Sequence, residues 1–130
     1  MNKIPLSLFL FVGSFLFAQE QPHKVGGDRD SHGCIASAGY TYSQIKNNCI
    51  RVFEQKIKLK EVNPSKDYET FAAIIFSNDN KKAEIFLAGE KESVILTKTG
   101  KTKAWKNKIY TLTLNKKGYE LKNGRKLIYK

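Results

Sequence analysis

Phe71-Ala72-Ala73-Ile74-Ile75-Phe76, followed at once by Ser77-Asn78-Asp79-Asn80, is the stretch on which the fold turns. Six apolar residues ending in a cluster of turn formers read as a central β-strand and its turn, because the run is too short for a core helix and is β-branched and aromatic. Working downstream, residues 83–87 form the next apolar run, closed by Ala88-Gly89-Glu90. Residues 93–97 follow, then Thr99-Gly100. Ala104-Trp105 precedes the turn Lys106-Asn107-Lys108, and residues 109–114 alternate polar and apolar before Asn115-Lys116-Lys117-Gly118. Tyr119-Glu120-Leu121 runs into Asn123-Gly124, a two-residue hairpin signal, and Leu127-Ile128-Tyr129 ends the series.

Upstream, Lys56-Ile57-Lys58-Leu59-Lys60 alternates with period two, as a strand with one wet face must. Its lysines fit that wet face and also suit an edge strand. Gly39-Tyr40-Thr41-Tyr42 and Cys49-Ile50-Arg51-Val52-Phe53 flank the turn cluster Lys46-Asn47-Asn48, which predicts a hairpin or loop, with a short helical turn over 43–46 as an option. Eight or nine short strands at this spacing predict one all-β domain over residues 34–130, a small antiparallel barrel or sandwich with an N-terminal disulfide-closed loop.

The first eighteen residues are of another kind. Lys3 precedes an apolar stretch from Ile4 to Phe17 and a small residue, Ala18. This is the order of a secretory signal, and it falls short of the roughly 20 apolar residues of a membrane span. Its removal leaves 112 of the 130 residues, and the formal charge drops from +11 to +10 with Lys3. No cysteine follows the apolar core, so the reading is a periplasmic or secreted protein without a lipid anchor, not membrane-spanning once cleaved. Residues 19–33 hold Pro22, three glycines and alternating charges, and read as a flexible leader. In an oxidising compartment the two cysteines, Cys34 and Cys49, are expected to form a disulfide closing a loop of 16 residues.

Three groups of residues are candidates for a site. Asp28, Asp30 and His32 would project to one side of an extended segment, with His23 nearby, and carboxylate plus imidazole suits a divalent ion. The same residues equally suit a solvated linker whose Asp and Ser make local turn hydrogen bonds. The cysteine loop is rich in small residues and tyrosine. Ser37, Gly39, Tyr40, Tyr42 and Arg51 are its binding candidates, and packing beneath the loop is the competing role for the tyrosines. Thirdly, Lys81, Lys82, Lys98, Lys101, Lys103, Lys106, Lys108, Lys116, Lys117, Lys122, Arg125 and Lys126 crowd the C-terminal half among Trp105, Tyr110, Tyr119 and Tyr129. Basic residues interleaved with aromatics suit lipopolysaccharide, lipid head groups or acidic glycans, and strand alternation alone would also turn many of these lysines outward.

Catalytic patterns are not legible. Both histidines, His23 and His32, fall in the leader, and the cysteines are expected to be bridged. No carboxylate stands out in an apolar setting, no Gly-rich phosphate loop occurs, and no cofactor or specific nucleic-acid partner is implied. The expectation is a non-enzymatic module that binds a protein or another envelope component, with polyanion attachment as the alternative.

Two resemblances add to this. Gly33-Cys34-Ile35-Ala36-Ser37-Ala38-Gly39-Tyr40-Thr41-Tyr42 with Cys49-Ile50-Arg51-Val52-Phe53-Glu54 resembles a signature of small exported proteins and lipoproteins of Gram-negative bacteria, a group with no activity to carry over. Residues 71–130 are similar in cadence to the β-barrel inhibitors of c-type lysozyme, through Phe76-Ser77-Asn78-Asp79-Asn80, Ala83-Glu84-Ile85 and Trp105. That resemblance implies a barrel and raises the alternative of a protein inhibitor. Thr97-Lys98-Thr99-Gly100 stands where those inhibitors carry Ser-Ala-Ser-Gly, and a charge of +10 would repel a basic lysozyme at long range.

Overall fold

The structure, a computed structural model, describes residues 28–65 and 67–130. The expected signal segment, most of the expected leader and His23 lie outside the described residues. Among the described residues ten strands form two sheets: β1 (Tyr40–Ser43) and β2 (Asn48–Arg51) pair as a hairpin, and β3 (Ile57–Lys60), β4 (Phe71–Phe76), β5 (Lys82–Phe86), β6 (Val94–Lys98), β7 (Ala104–Lys106), β8 (Tyr110–Asn115), β9 (Gly118–Asn123) and β10 (Lys126–Tyr129) form an antiparallel meander in chain order.

The meander curls into a nearly closed barrel, so the structure selects barrel over sandwich. Lys60 and Lys130 exchange two backbone hydrogen bonds of 2.9 Å, Glu61 bridges Tyr129, and the Val62 amide donates to the Ile128 carbonyl at 3.0 Å. The end of β3 is therefore covered, where its lysines had suggested an open edge. Eight strands enclose a space that side chains can fill. Leu59, Ala72, Ile74, Ala83, Ile85, Leu96, Trp105, Leu112, Leu121 and Tyr129 form that interior, all buried.

The hairpin β1–β2 lies outside the barrel, across β4 and β5. Ile45, Ile50 and Val52 pack on Ala73, Ile75 and Phe86, the outward-facing residues of those strands. This explains why Phe71–Phe76 lacks alternation: Ala72 and Ile74 face the barrel interior while Ala73 and Ile75 face the hairpin. Asn123-Gly124 marks its hairpin, but one residue out. Asn123 pairs with Lys126, so Gly124 and Arg125 form the loop, with Gly124 at φ 59°. A glycine with positive φ at the first loop position suits the twist of a two-residue hairpin.

The disulfide joins Cys34 to Cys49, with the Cα atoms 5.6 Å apart. Cys49 is the cross-strand partner of Tyr42, on the face of the hairpin turned away from the barrel. The bond thus ties the preceding segment to the outside of the hairpin. It does not tie the hairpin to the barrel.

Candidate functional site

The end of the expected leader is packed against this outer face. Arg29 bridges Ile35, and the Asp30 carboxylate accepts from the amides of His32 and Cys34, both at 2.9 Å. His32 stacks on Tyr42 with ring centroids 4.0 Å apart, and its Nε2 is 3.5 Å from Glu92. The Asp28 carboxylate accepts from the Ser37 amide at 2.7 Å and its hydroxyl at 2.5 Å. Residues 28–33, at the end of the expected leader, are thus hydrogen-bonded to the segment that carries Cys34 and Ser37. Asp28, Asp30 and His32 do not converge. The Asp30 carboxylate folds the chain into a turn, which removes the extended geometry that would have aligned them. Among the described residues no group of three His, Cys, Asp or Glu is placed to hold a metal ion.

The loop candidates lie on the outer face of the hairpin and in the turn that precedes it. Tyr40 and Tyr42 face outward with Arg51, whose guanidinium lies 4.8 Å above the Tyr40 ring and whose Nη1 is 3.2 Å from Glu54. Tyr42 donates from its hydroxyl to Asn47 Oδ1. Ser37 sits in a 3-10 turn, Ala36–Ala38. Gly39 closes that turn at φ 81°, and a Cβ there would stand 2.8 Å from the Phe53 ring, so conformation and close approach both call for glycine.

The alternate residues of β1, Thr41 and Ser43, face the barrel. Ser43 reaches Glu84, the residue that the sequence reading missed. Glu84 points outward from β5 between barrel and hairpin and is 0% exposed. Its two oxygens accept four hydrogen bonds: Ser43 Oγ and the Gln44 amide at 2.7 Å, Ser93 Oγ at 2.5 Å and the Ile45 amide at 3.1 Å. Four donors match the lone-pair capacity of a carboxylate. A buried carboxylate is tolerated only when satisfied in this way, so this cluster fixes the seat of the hairpin on the barrel. A single acidic residue inside the apolar strand Lys82–Phe86 was the one available signal.

Beside this clamp a cleft of about 280 Å³ opens where the hairpin meets the barrel rim. Thr41 comes from β1, Val52 directly follows β2, Thr70 and Phe71 lie where the chain enters β4, and Phe86, Leu87, Ala88 and Ser93 come from β5 and the loop after it. Its floor is apolar, and Glu69, Glu90 and Glu92 stand on its rim, all exposed. A second hollow of about 260 Å³ lies on the other side of the same loop, sharing Leu87, Ala88 and Glu90. No periodicity could find the cleft, because its walls come from segments far apart in the chain.

Trp105 belongs to neither hollow. It is 5% exposed inside the barrel, in ring contact with Phe76 (4.9 Å) and Tyr119 (6.4 Å). Its Nε1 donates to the Asn80 carbonyl at 2.8 Å. As a buried core side chain it offers no stacking face to a ligand. Among the described residues no helix is long and apolar enough to cross a membrane. Comparison with family profiles, curated proteins and solved structures finds no match to this chain.

Proposed function

We propose that this is an exported, non-enzymatic binding module whose partner seats in the cleft between the disulfide-linked hairpin and the barrel rim. The observation that carries this reading is the cleft itself, an apolar floor with three carboxylates on its rim in a chain of strongly positive charge. A concave, mostly apolar hollow with a few converging polar groups is the usual form of a binding site. Its walls are held in place by the Glu84 hydrogen bonds, so little ordering entropy opposes binding. The rim carboxylates favour a partner segment that is apolar and basic. Export is supported by the signal-like N-terminus and by the Cys34–Cys49 bond.

The test is capture from an envelope extract by the immobilised protein, alongside a Thr41→Trp variant that fills the cleft. Thr41 is only half-buried, so the variant should melt close to the parent. A partner retained by the parent and lost by Thr41→Trp is expected. A partner held equally by both, or none held by either, overturns the reading.

A further inference from the structure

We infer that the opposite end of the barrel is a docking surface for a linear polyanion with closely spaced sulfate or phosphate groups. In an antiparallel meander every second connection returns to the same end. Residues 77–81, 99–103 and 116–117 therefore share one end, and backbone hydrogen bonds tie two of these turns to adjacent strands: the Lys98 amide of β6 donates to the Lys81 carbonyl at 2.8 Å and the Leu114 amide of β8 to the Lys103 carbonyl at 3.0 Å. These turns carry Lys81, Lys101, Lys103, Lys116 and Lys117, all exposed, with Lys82 and Lys98 on the adjoining strand ends. Asp79 is the one acidic residue in the three turns, and its carboxylate is occupied by the Ser77 hydroxyl and the Lys81 amide. Among the described residues none of these lysines forms an ion pair.

The backbone beneath them is braced. Trp105 donates to Asn80, Phe76 and Tyr119 pack beside it, and Lys98 lies 5.8 Å above the Trp105 ring. Short turns on a packed floor present the lysines at set spacings, so a charged chain meets a prepared surface. The exposed large apolar residues, Phe53, Tyr68, Phe71 and Ile109, all lie outside the three turns. Among the described residues these turns hold no large exposed apolar side chain to enter a lipid layer, which favours a polymer over a membrane.

The inference does not depend on the cleft. It is tested by the affinity of the purified protein for heparin across a salt series. One variant removes four charges here (Lys101→Gln, Lys103→Gln, Lys116→Gln, Lys117→Gln). A second removes four elsewhere (Lys91→Gln, Lys108→Gln, Arg125→Gln, Lys126→Gln). The first should weaken binding about tenfold or more at roughly 0.15 M salt and flatten the salt dependence, and the second should weaken it no more than about threefold. Equal loss in both would show that net charge alone acts, and overturns the proposal. So does the absence of retention by the parent, or binding to anionic phospholipid vesicles without binding to heparin.

Discussion

At one end of the barrel the connections are short, basic and pinned to an aromatic floor. At the other, residues 61–70 and 87–93 are longer and carry Glu61, Asp67, Glu69, Glu90 and Glu92, with Lys91, Lys108 and Arg125 as the described basic residues of that end's loops. The turns of the first end belong to the barrel alone. The second has hollows, and its main cleft needs an element from outside the barrel, the β1–β2 hairpin. A charge that looks evenly spread along the C-terminal half is thus sorted by connectivity into unlike poles. The lesson is that net charge predicts neither site, while the alternation of turns in a meander locates one of them.

The two ends should also fail differently. The largest effect belongs to Trp105→Ala, which empties the floor of the basic end and orphans the Asn80 carbonyl. A loss of about 3–5 kcal/mol in denaturant unfolding is expected, felt by the whole barrel. Replacing Cys34 and Cys49 together with Ser should cost about 3 kcal/mol by the chain-entropy estimate for a loop of this size. Because the bond ties residues before the hairpin to its outer face, partner capture by the cleft should survive that change under conditions where the protein stays folded. Loss of capture with the barrel intact would show that the cleft depends on the disulfide after all.

Glu84→Gln sharpens the comparison further. The amide turns a donor toward at least one of four donors, at a cost of about 1–3 kcal/mol. Hydrogen exchange should quicken at Gln44 and Ile45 and stay slow in β7–β9, and cleft binding should weaken while heparin retention holds. Uniform quickening would mean that hairpin and barrel open as one unit. The smallest effect is at Asp79. The Ser77 hydroxyl, then the Lys81 amide, hold its carboxyl below the ordinary Asp range. A lowered native value stabilises the fold above the unfolded Asp pKa of about 3.9, and this contribution disappears as pH falls through the native value. In Ser77→Ala an NMR titration should find Asp79 moved upward, with the acidic end unaffected.

Much of the barrel was legible because its signals are local. The alternation at Ile57–Lys60, the turn clusters at 77–80 and 115–118 and the apolar run Phe71–Phe76 each specify a strand or a turn from adjacent residues. Gly124 was legible as a turn residue, and only pairing moved the loop by one position. The site was far less legible. Thr41 and Tyr42 are neighbours in sequence, yet strand geometry sends one to the cleft and the other to His32. Trp105, read as a surface aromatic among lysines, is a core residue because its strand turns it inward.

The amino-acid order by itself determined the all-β class, the pairing of two cysteines in a chain with a signal-like N-terminus, and the positions of most turns. These depend on period, on turn chemistry and on the presence of only two thiols. Tertiary structure alone decided that the meander closes, that the hairpin seats on β4 and β5 through Glu84, and that lysines from three turns share one end while glutamates from two loops share the other. Those outcomes depend on contacts between segments tens of residues apart. Burying a carboxylate is favourable only when four donors arrive together, and no stretch of sequence contains both the carboxylate and all its donors.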